Sequence, residues 1–284
     1  SANTVLSAIS HVSWYHIRNL GYSVGLHAGH NMAVRGMQRL SPPPPQKQPV
    51  TMAILREIRR RCNFQSAHDR VLWGAAVMGF FFLLRQSEYL ADGTKMKPYI
   101  IQVNDVQFLS TQGVLARSID KVAAVSIKSR GSKSDQVGAG ATRTLHRSGS
   151  AWLCPVQATW ELVQNSRMFS SNEALCATGT GKVLAANRLA KAIKCAAAAA
   201  GADPLTFGTH SMGSGGATAL FATGVDRLTI KLFGRWFSDA FEQYTRMNEA
   251  TTRSLAEQME RGARSHVSPV TLVGASSSSN TELD

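Results

Sequence analysis

The chain has 284 residues and is strongly basic, with 31 Lys and Arg against 18 Asp and Glu, a formal charge of +13 and a pI near 10.1. Its 44% hydrophobic residues suffice for one large or two smaller well-buried domains. The longest apolar run, residues 71–84, is too short to cross a membrane, and no basic leader begins the chain, so we expect a soluble intracellular protein. The charge favours a polyanionic partner, first of all nucleic acid, with general solubility or an acidic protein partner as the alternative.

Cysteine and histidine spacing argues against a metal site. The close pair His27 and His30 has no acidic or cysteine neighbour, and packing or surface roles explain it better than metal ligation. No two cysteines have CxxC spacing, so we expect reduced thiols, no metal ion and no cofactor. The four cysteines are Cys62, Cys154, Cys176 and Cys195.

The N-terminal 40 residues have the apolar spacing of two helices. Four prolines, Pro42–Pro45, then stop any helix and begin a stiff linker that ends at Pro49. We therefore predict a small helical domain over 1–41, a linker over 42–49 and a larger domain over 50–264. The Ser-rich residues 265–284 are predicted to form a flexible tail.

The larger domain begins with helical patterns. Thr51 is a suitable N-cap for a helix that reaches Arg61. The apolar stretch from His68 to Leu84 predicts a buried helix that leads directly into Arg85.

Short β-rich runs separated by Gly- and Ser-rich turns follow, and they predict a small antiparallel sheet. The predicted strands are 100–103, 122–127 and 142–145. Helices return afterwards, and we predict them over 156–168, 187–200, 210–223, 225–233 and 249–262. The expected fold class is mainly α with a small antiparallel β-sheet (α+β).

Three features near the C-terminus suggest phosphate chemistry: the segment His210-Ser-Met-Gly-Ser-Gly-Gly216, the turn Gly234-Arg-Trp236, and Tyr244. Imidazole and indole N–H groups can hold the oxygens of a phosphate while a phenol oxygen attacks its phosphorus. In isolation, a tyrosine of this kind is more often a packing residue. The surrounding features favour the chemical interpretation.

A second segment far upstream has related chemistry. Arg85 follows the apolar run in Leu84-Arg85-Gln-Ser-Glu88. A guanidinium can bind a phosphate in bidentate fashion, although an arginine after a helix also pairs well with the helix dipole.

Together these segments resemble the tyrosine recombinase (phage-integrase) family, whose members cut and rejoin DNA through a 3′-phosphotyrosine. The resemblance covers about residues 50–262 and implies the catalytic-domain fold of that family. It implies Tyr244 as nucleophile, Arg85 as the first arginine with Glu88 as its supporting acidic residue, and His210 at the start of the family's His-x-x-Arg motif. It also implies a hairpin-tip lysine as general acid, for which Lys133 is the candidate, with Lys128 and Arg130 nearby.

One position departs from the family pattern, and another family position has two candidates in this chain. The second arginine, three residues after the histidine, is Gly213 here. The family's second His/Trp falls on Arg235 by spacing and on Trp236 by chemistry, and we favour Trp236. Loss of a donor on the scissile phosphate commonly costs about 3–4 kcal/mol. We therefore expect poor cleavage. The alternative is that Arg235 acts as a substitute cation.

The resemblance implies a DNA-binding recombinase or transposase domain, and the alternative is an inactive DNA-binding module with an architectural role. It implies double-stranded DNA and further copies of the chain as partners, in a synaptic dimer or tetramer. Residues 1–41 would be the C-terminal fragment of a helical domain that clamps DNA. The segments Ser-Lys-Ser-Asp-Gln136 and Gly234-Arg-Trp-Phe-Ser-Asp-Ala-Phe241 resemble Crypton- and DIRS-like recombinases of eukaryotic mobile elements more than bacterial Xer proteins, and this resemblance would place the chain on DNA in the nucleus.

Overall fold

The chain divides into two units, Ser1–Gln46 and Lys47–Asp284. The computed structural model describes residues 2–41, 47–131, 140–170, 172–236 and 259. The division falls within the proline-rich stretch that separates the two predicted domains. The assignment of the smaller unit to a clamp domain and the limits of the tail stay predictions.

The first unit consists of two helices, α1 (Ala2–Leu20) and α2 (Ala28–Leu40), that pack against each other. His27 caps α2, because its Nδ1 accepts a hydrogen bond from the Gly29 N–H at 3.2 Å. This capping role agrees with a structural rather than metal-binding use of the histidine.

The second unit is largely helical. Its first helix begins where predicted, since the Thr51 hydroxyl accepts a hydrogen bond from the Ile54 N–H at 3.4 Å. The helices are α3 (Met52–Arg61), α4 (Ala67–Phe81), α5 (Gln86–Tyr89), α6 (Pro155–Arg167), α7 (Ala186–Ala199), α8 (His210–Ala222) and α9 (Arg227–Phe233).

Helix α4 is the centre of the core. Every residue from Val71 to Phe80 is buried, and the helix packs against α6, α7 and α8. A helix that is apolar on all sides is expected at such a central position. The elements that surround α4 are therefore held in fixed positions relative to its C-terminal end.

The sheet is small and antiparallel. Its strands β1 (Val106–Leu109), β2 (Ala124–Ser129) and β3 (Ala141–His146) lie in the order β1-β2-β3. A separate two-stranded hairpin, β4 (Ala177–Gly179) and β5 (Lys182–Val183), lies outside it. The fold class is mainly α with small antiparallel sheets, as predicted.

The predicted strand over 100–103 is wrong. Residues Ile100, Ile101 and Val103 are buried, which explains their β-like apolar pattern. However, the segment passes between α5 and the loop before β4, where the Ile101 N–H donates to the Glu88 carbonyl at 2.8 Å and the Ile101 carbonyl accepts from Leu175 at 2.9 Å. These single bonds make no ladder, and the first strand begins at Val106.

Helix α8 lies very close to neighbouring backbone. A Cβ on Gly215 would lie 2.5 Å from the Val50 carbonyl oxygen, and one on Gly216 would overlap the Phe80 carbonyl oxygen. Gly213 differs, because its Cβ would lie 3.7 Å from the nearest backbone atoms of Leu83, which is ordinary contact. Two of these three glycines are therefore required by packing and the third is not.

The predicted helix over 249–262 and the tail fall, apart from residue 259, outside the described residues. Within the described part of the chain, no helix is both long and apolar enough to span a membrane.

The glycine contacts predict opposite effects for two alanine substitutions. We expect Gly216→Ala to lower the free energy of unfolding by about 1–3 kcal/mol, because the added methyl group overpacks the contact between α8 and α4. Gly213→Ala is the matched control and should be neutral or stabilising by up to about 1 kcal/mol through helix propensity. Urea denaturation measures both, and equal stability of the two variants would contradict the packing argument.

Candidate active site

A sharp turn at the end of α4 presents Arg85. The sequence predicted a continuous helix to Leu84, but the helix ends at Phe81 and Leu83 takes a left-handed conformation with φ of 51°. A non-glycine residue in this region costs about 1–3 kcal/mol and persists only where the surroundings enforce it. The left-handed conformation of Leu83 is enforced by burial, because its side chain packs against Ala217 and Ile230.

Glu88 is the buried anion of the site. Its side chain is 0% exposed and accepts two hydrogen bonds from Arg85, one from the backbone N–H at 3.0 Å and one from Nη1 at 3.4 Å. The carboxylate therefore fixes both the backbone and the guanidinium of Arg85. The Arg85 side chain remains 23% exposed, so it is accessible in part from outside the site.

Arg235 completes a buried triad with these residues. Its Nη2 donates to Glu88 Oε2 at 2.8 Å and its Nη1 to the Phe82 carbonyl at 3.4 Å, while its own carbonyl accepts from Arg85 Nη2 at 3.0 Å. The side chain is only 10% exposed, and φ of Arg235 is 57°, again left-handed. Its Nε is buried without a hydrogen-bond partner among the described residues.

A third guanidinium lies close to the triad. Arg143 of β3 donates from Nε to the Phe233 carbonyl at 3.2 Å and from Nη2 to the Leu232 carbonyl, which ties the sheet to the end of α9. Burial and the positive charge of Arg235 lower the pKa of Arg143. The sequence analysis missed this residue, because an arginine in an alternating strand gives no signal that it contacts a distant helix.

His210 is joined to the Arg85 segment through the neighbours of both residues. It is the exposed first residue of α8, and the preceding Thr209 donates from its hydroxyl to Gln86 Oε1 at 2.8 Å. Gln86 directly follows Arg85, so this bond joins the start of α8 to the start of α5. The structure therefore brings together two of the predicted site residues that are far apart in sequence.

Trp236 is half-buried and packs against the cluster that contains Leu83 and Ile230. Its ring folds back over Gly234, where a Cβ would come within 2.6 Å of the indole. Trp236 thus lies beside the turn that presents Arg85, while the guanidinium of Arg235 points into the triad. The two residues occupy different surroundings.

Lys133 and Tyr244 lie outside the described residues. Of the neighbours of Lys133, Lys128 is exposed on β2 and Arg130 is bound to Asp105, with Nε 2.7 Å from Oδ2. Arg130 is therefore committed to a structural ion pair. In the described part of the chain, no three His, Cys, Asp or Glu side chains form a group that could hold a metal ion.

The triad has more positive than negative charge. Arg85 and Arg235 share the single carboxylate of Glu88, and Arg143 adds a further cation nearby. Guanidinium groups held in a fixed, poorly hydrated position bind phosphate well, because their N–H donors match its oxygens. The arrangement is suited to an anion.

Comparison with solved structures identifies the fold. The XerH site-specific recombinase bound to difH substrate, in a pre-cleavage complex, is similar with a TM-score of 0.52 at 14% identity, over 85% of this chain and 66% of that chain. The post-cleavage complex with palindromic difH gives a TM-score of 0.50 at 15% identity, over 77% of this chain. The chain has the tyrosine recombinase fold.

The recombinase fold is found here without close sequence similarity. No protein-family model matches the chain, and no curated protein matches it. The chain spans 52% and 66% of the lengths of the two XerH chains. The Tn1549 transposon integrase in complex with transposon right end DNA is also similar, with 20% identity and a TM-score of 0.45, over 80% of this chain and 70% of that chain.

The Arg85–Glu88–Arg235 triad predicts a large effect of one substitution on stability. Glu88→Gln keeps the shape but leaves two arginines without their buried counter-charge, so we expect the free energy of unfolding to fall by about 3–5 kcal/mol. Glu57→Gln, which removes a solvent-exposed ion pair with Arg60, is the control and should have a much smaller effect. Urea is the suitable denaturant because it leaves ion pairs unscreened. Equal effects of both substitutions would show that the triad does not stabilise the fold.

Proposed function

We propose that this chain is a DNA strand transferase of the tyrosine recombinase family. The observation that supports the proposal most is the Arg85–Glu88–Arg235 triad beside His210, on a fold shared with site-specific recombinases. Two arginines that share one buried carboxylate leave a positive charge for a phosphate. The solved XerH structures hold a DNA substrate, and we extend that partner to this chain.

In the proposed reaction the phenol oxygen of Tyr244 attacks the scissile phosphorus. The new bond joins the tyrosine oxygen to phosphorus, and the bond from phosphorus to the 5′ oxygen breaks. Lys133 gives its proton to that leaving oxygen, and the phenol proton passes to a base, for which the His210 imidazole is the candidate. The products are a 3′-phosphotyrosine and a free 5′ hydroxyl, and reversal of the steps with another 5′ hydroxyl rejoins DNA.

The remaining site residues act on the nonbridging oxygens of the phosphate. Arg85 donates from its partly exposed side chain, and Trp236 can donate from its indole N–H. Glu88 contributes by holding Arg85 in position. These donors stabilise charge that grows in the transition state.

Tyr89 is close to the triad in sequence but is unsuited to be the nucleophile. Its side chain is fully buried, and burial raises its pKa far above the usual value. A phenol in this position neither reaches a DNA phosphate nor ionises readily. Its hydroxyl instead fills the space left by Gly79.

Several finer assignments belong to the same proposal. Self-association on DNA, as a synaptic dimer or tetramer, follows from the family resemblance, as do a location on DNA and a role in transposition. The narrower similarity to Crypton- and DIRS-like recombinases stays a prediction, and a nuclear location depends on it. Poor cleavage, caused by Gly213, also stays a prediction, with a purely architectural DNA-binding role as the inactive alternative.

DNA binding is expected to depend steeply on salt. The formal charge of +13 implies contact with several phosphates, whose counterions are released on binding. We expect a slope of about −4 or steeper in a plot of log affinity against log salt concentration, which corresponds to at least about four neutralised phosphates. Fluorescence anisotropy with a labelled duplex gives this slope. A flat plot would contradict an electrostatic DNA interface.

The proposed function is tested by trapping the covalent intermediate. The bound sequence is first selected from a random duplex pool and then nicked near the cut, so that the fragment with the free 5′ hydroxyl diffuses away. We expect a protein–DNA adduct on a denaturing gel, because reversal is blocked, and we expect Tyr244→Phe to abolish it without changing DNA affinity.

Tyr99→Phe is the matched control for this experiment and should leave the adduct unchanged, since the Tyr99 hydroxyl hydrogen-bonds to Ser87 at 3.3 Å outside the triad. An adduct that survives Tyr244→Phe would disprove the nucleophile assignment. DNA binding without an adduct, even in Gly213→Arg, would favour the architectural role.

A further inference from the structure

We infer that Arg235 supplies the second positive charge of the phosphate site, in place of the arginine that is absent at Gly213. The inference rests on the proposed function and makes its site more specific. It assigns to Arg235 the binding of the scissile phosphate rather than the hydrogen-bonding role of a His or Trp. The structure supports it in three independent ways.

The first argument is the location of Arg235. Gly213 of α8 faces the backbone of Leu83, and the Arg235 guanidinium donates to the carbonyl of Phe82, the preceding residue of the same turn. The Arg235 guanidinium therefore reaches the same turn, Phe82–Leu83, that Gly213 contacts. A cation on Arg235 and a cation on a side chain at position 213 would therefore both lie next to the Phe82–Leu83 turn.

The second argument is that packing does not require a glycine at 213. A Cβ there makes only ordinary contacts, at 3.7 Å or more, whereas Gly215 and Gly216 have no room for one. A small residue at 213 is thus not the result of the close approach between α8 and α4. Position 213 could therefore hold a larger side chain. In this chain the cation comes instead from Arg235.

Third, the Arg235 side chain is buried and incompletely hydrogen-bonded. It is nine-tenths buried and ion-paired with Glu88, yet its Nε donor has no partner among the described residues. A buried unpaired donor is costly, and a bound ligand is one of the partners that can accept its hydrogen bond. Glu88 already accepts from Arg85, so a single carboxylate balances two cations and a phosphate oxygen would supply the missing negative charge.

The left-handed backbone of Arg235 agrees with this assignment. Among the described residues, the two non-glycine residues with positive φ are Leu83 and Arg235, and both belong to the turns that form the triad. Backbone strain of this kind clusters at functional sites, where the surrounding structure enforces a particular side-chain direction. Here it directs the guanidinium towards Glu88.

The test compares adduct formation on charged and neutral phosphates. On the nicked duplex, we expect Arg235→Gln to lower the rate of adduct formation about 100-fold or more, while DNA affinity changes less than about threefold. A methylphosphonate at the scissile position removes the charge that Arg235 is inferred to neutralise. On that substrate, wild type and Arg235→Gln should react at similar rates. An equal loss on both substrates would overturn the inference in favour of a purely structural role.

Two further variants separate charge from folding. Arg235→Lys keeps the positive charge beside Glu88 but lacks the Nε donor and the guanidinium geometry, so it should be more active than Arg235→Gln and less active than wild type. Arg235→Gln combined with Gly213→Arg returns a cation to the same turn and should recover at least about tenfold over Arg235→Gln alone. Arg60→Gln removes an exposed, ion-paired arginine elsewhere and should leave the rate unchanged. A folded Arg235→Lys protein as inactive as Arg235→Gln, or no recovery in the double variant, would overturn the inference.

Failure of the inference differs from failure of the proposed function. If wild type forms no adduct but Gly213→Arg forms one that depends on Tyr244, the proposed function stands and Arg235 does not replace the missing arginine. An unchanged rate in Arg235→Gln leads to the same conclusion. If no variant forms an adduct although DNA is bound, the proposed function fails and the inference fails with it.

Discussion

The buried carboxylate of Glu88 is the constraint on which the rest of the site depends. A fully buried charge is tolerated only when paired and hydrogen-bonded, so Glu88 requires cations at fixed positions. Arg85 meets this requirement from three residues away and Arg235 from 147 residues away. One carboxylate thereby joins the turn after α4 to the turn after α9. The DNA-facing chemistry that we propose uses the positive charge that this arrangement leaves over.

The close approach of α8 to α4 provides the second constraint. Because Gly215 and Gly216 have no side chains, the α8 backbone lies against Val50 and Phe80, and Met212 is completely buried. The start of α8 then reaches α5, where Thr209 bonds to Gln86. His210 owes its position near Arg85 to this packing. The small residues of the His210–Gly216 segment are therefore as important for the site as the histidine itself.

The sequence predicted α3, α4, α6, α7, α8 and α9 and two of the three strands of the sheet, because long apolar periodicities and turn residues report burial directly, but it did not predict the short α5. It failed at 100–103, since burial between α5 and the loop before β4 produces the same apolar pattern as a strand. It also missed the helix break at Leu83, because nothing in a leucine-rich run signals a left-handed turn.

Prediction of the site was limited in a similar way. The motifs identified Arg85, Glu88 and His210 as candidates, and the structure brings them to one end of the unit. Spacing could not decide what Arg235 contacts, because its partners Phe82 and Glu88 are about 150 residues away. Arg143 gave no signal for the same reason. Contacts between distant segments depend on packing, which local patterns do not encode.

The 150-residue separation between Arg85 and the Arg235 carbonyl has a consequence for the order of folding. Contacts between distant segments form late, because the loop between them must first be closed. The triad can be complete only after the sheet, α6, α7 and α8 have been synthesised between its two halves. During synthesis, a ribosome-bound chain that ends before α9 lacks Arg235, so its phosphate site is unfinished. The fold therefore delays completion of the proposed phosphate site until Arg235 has been made.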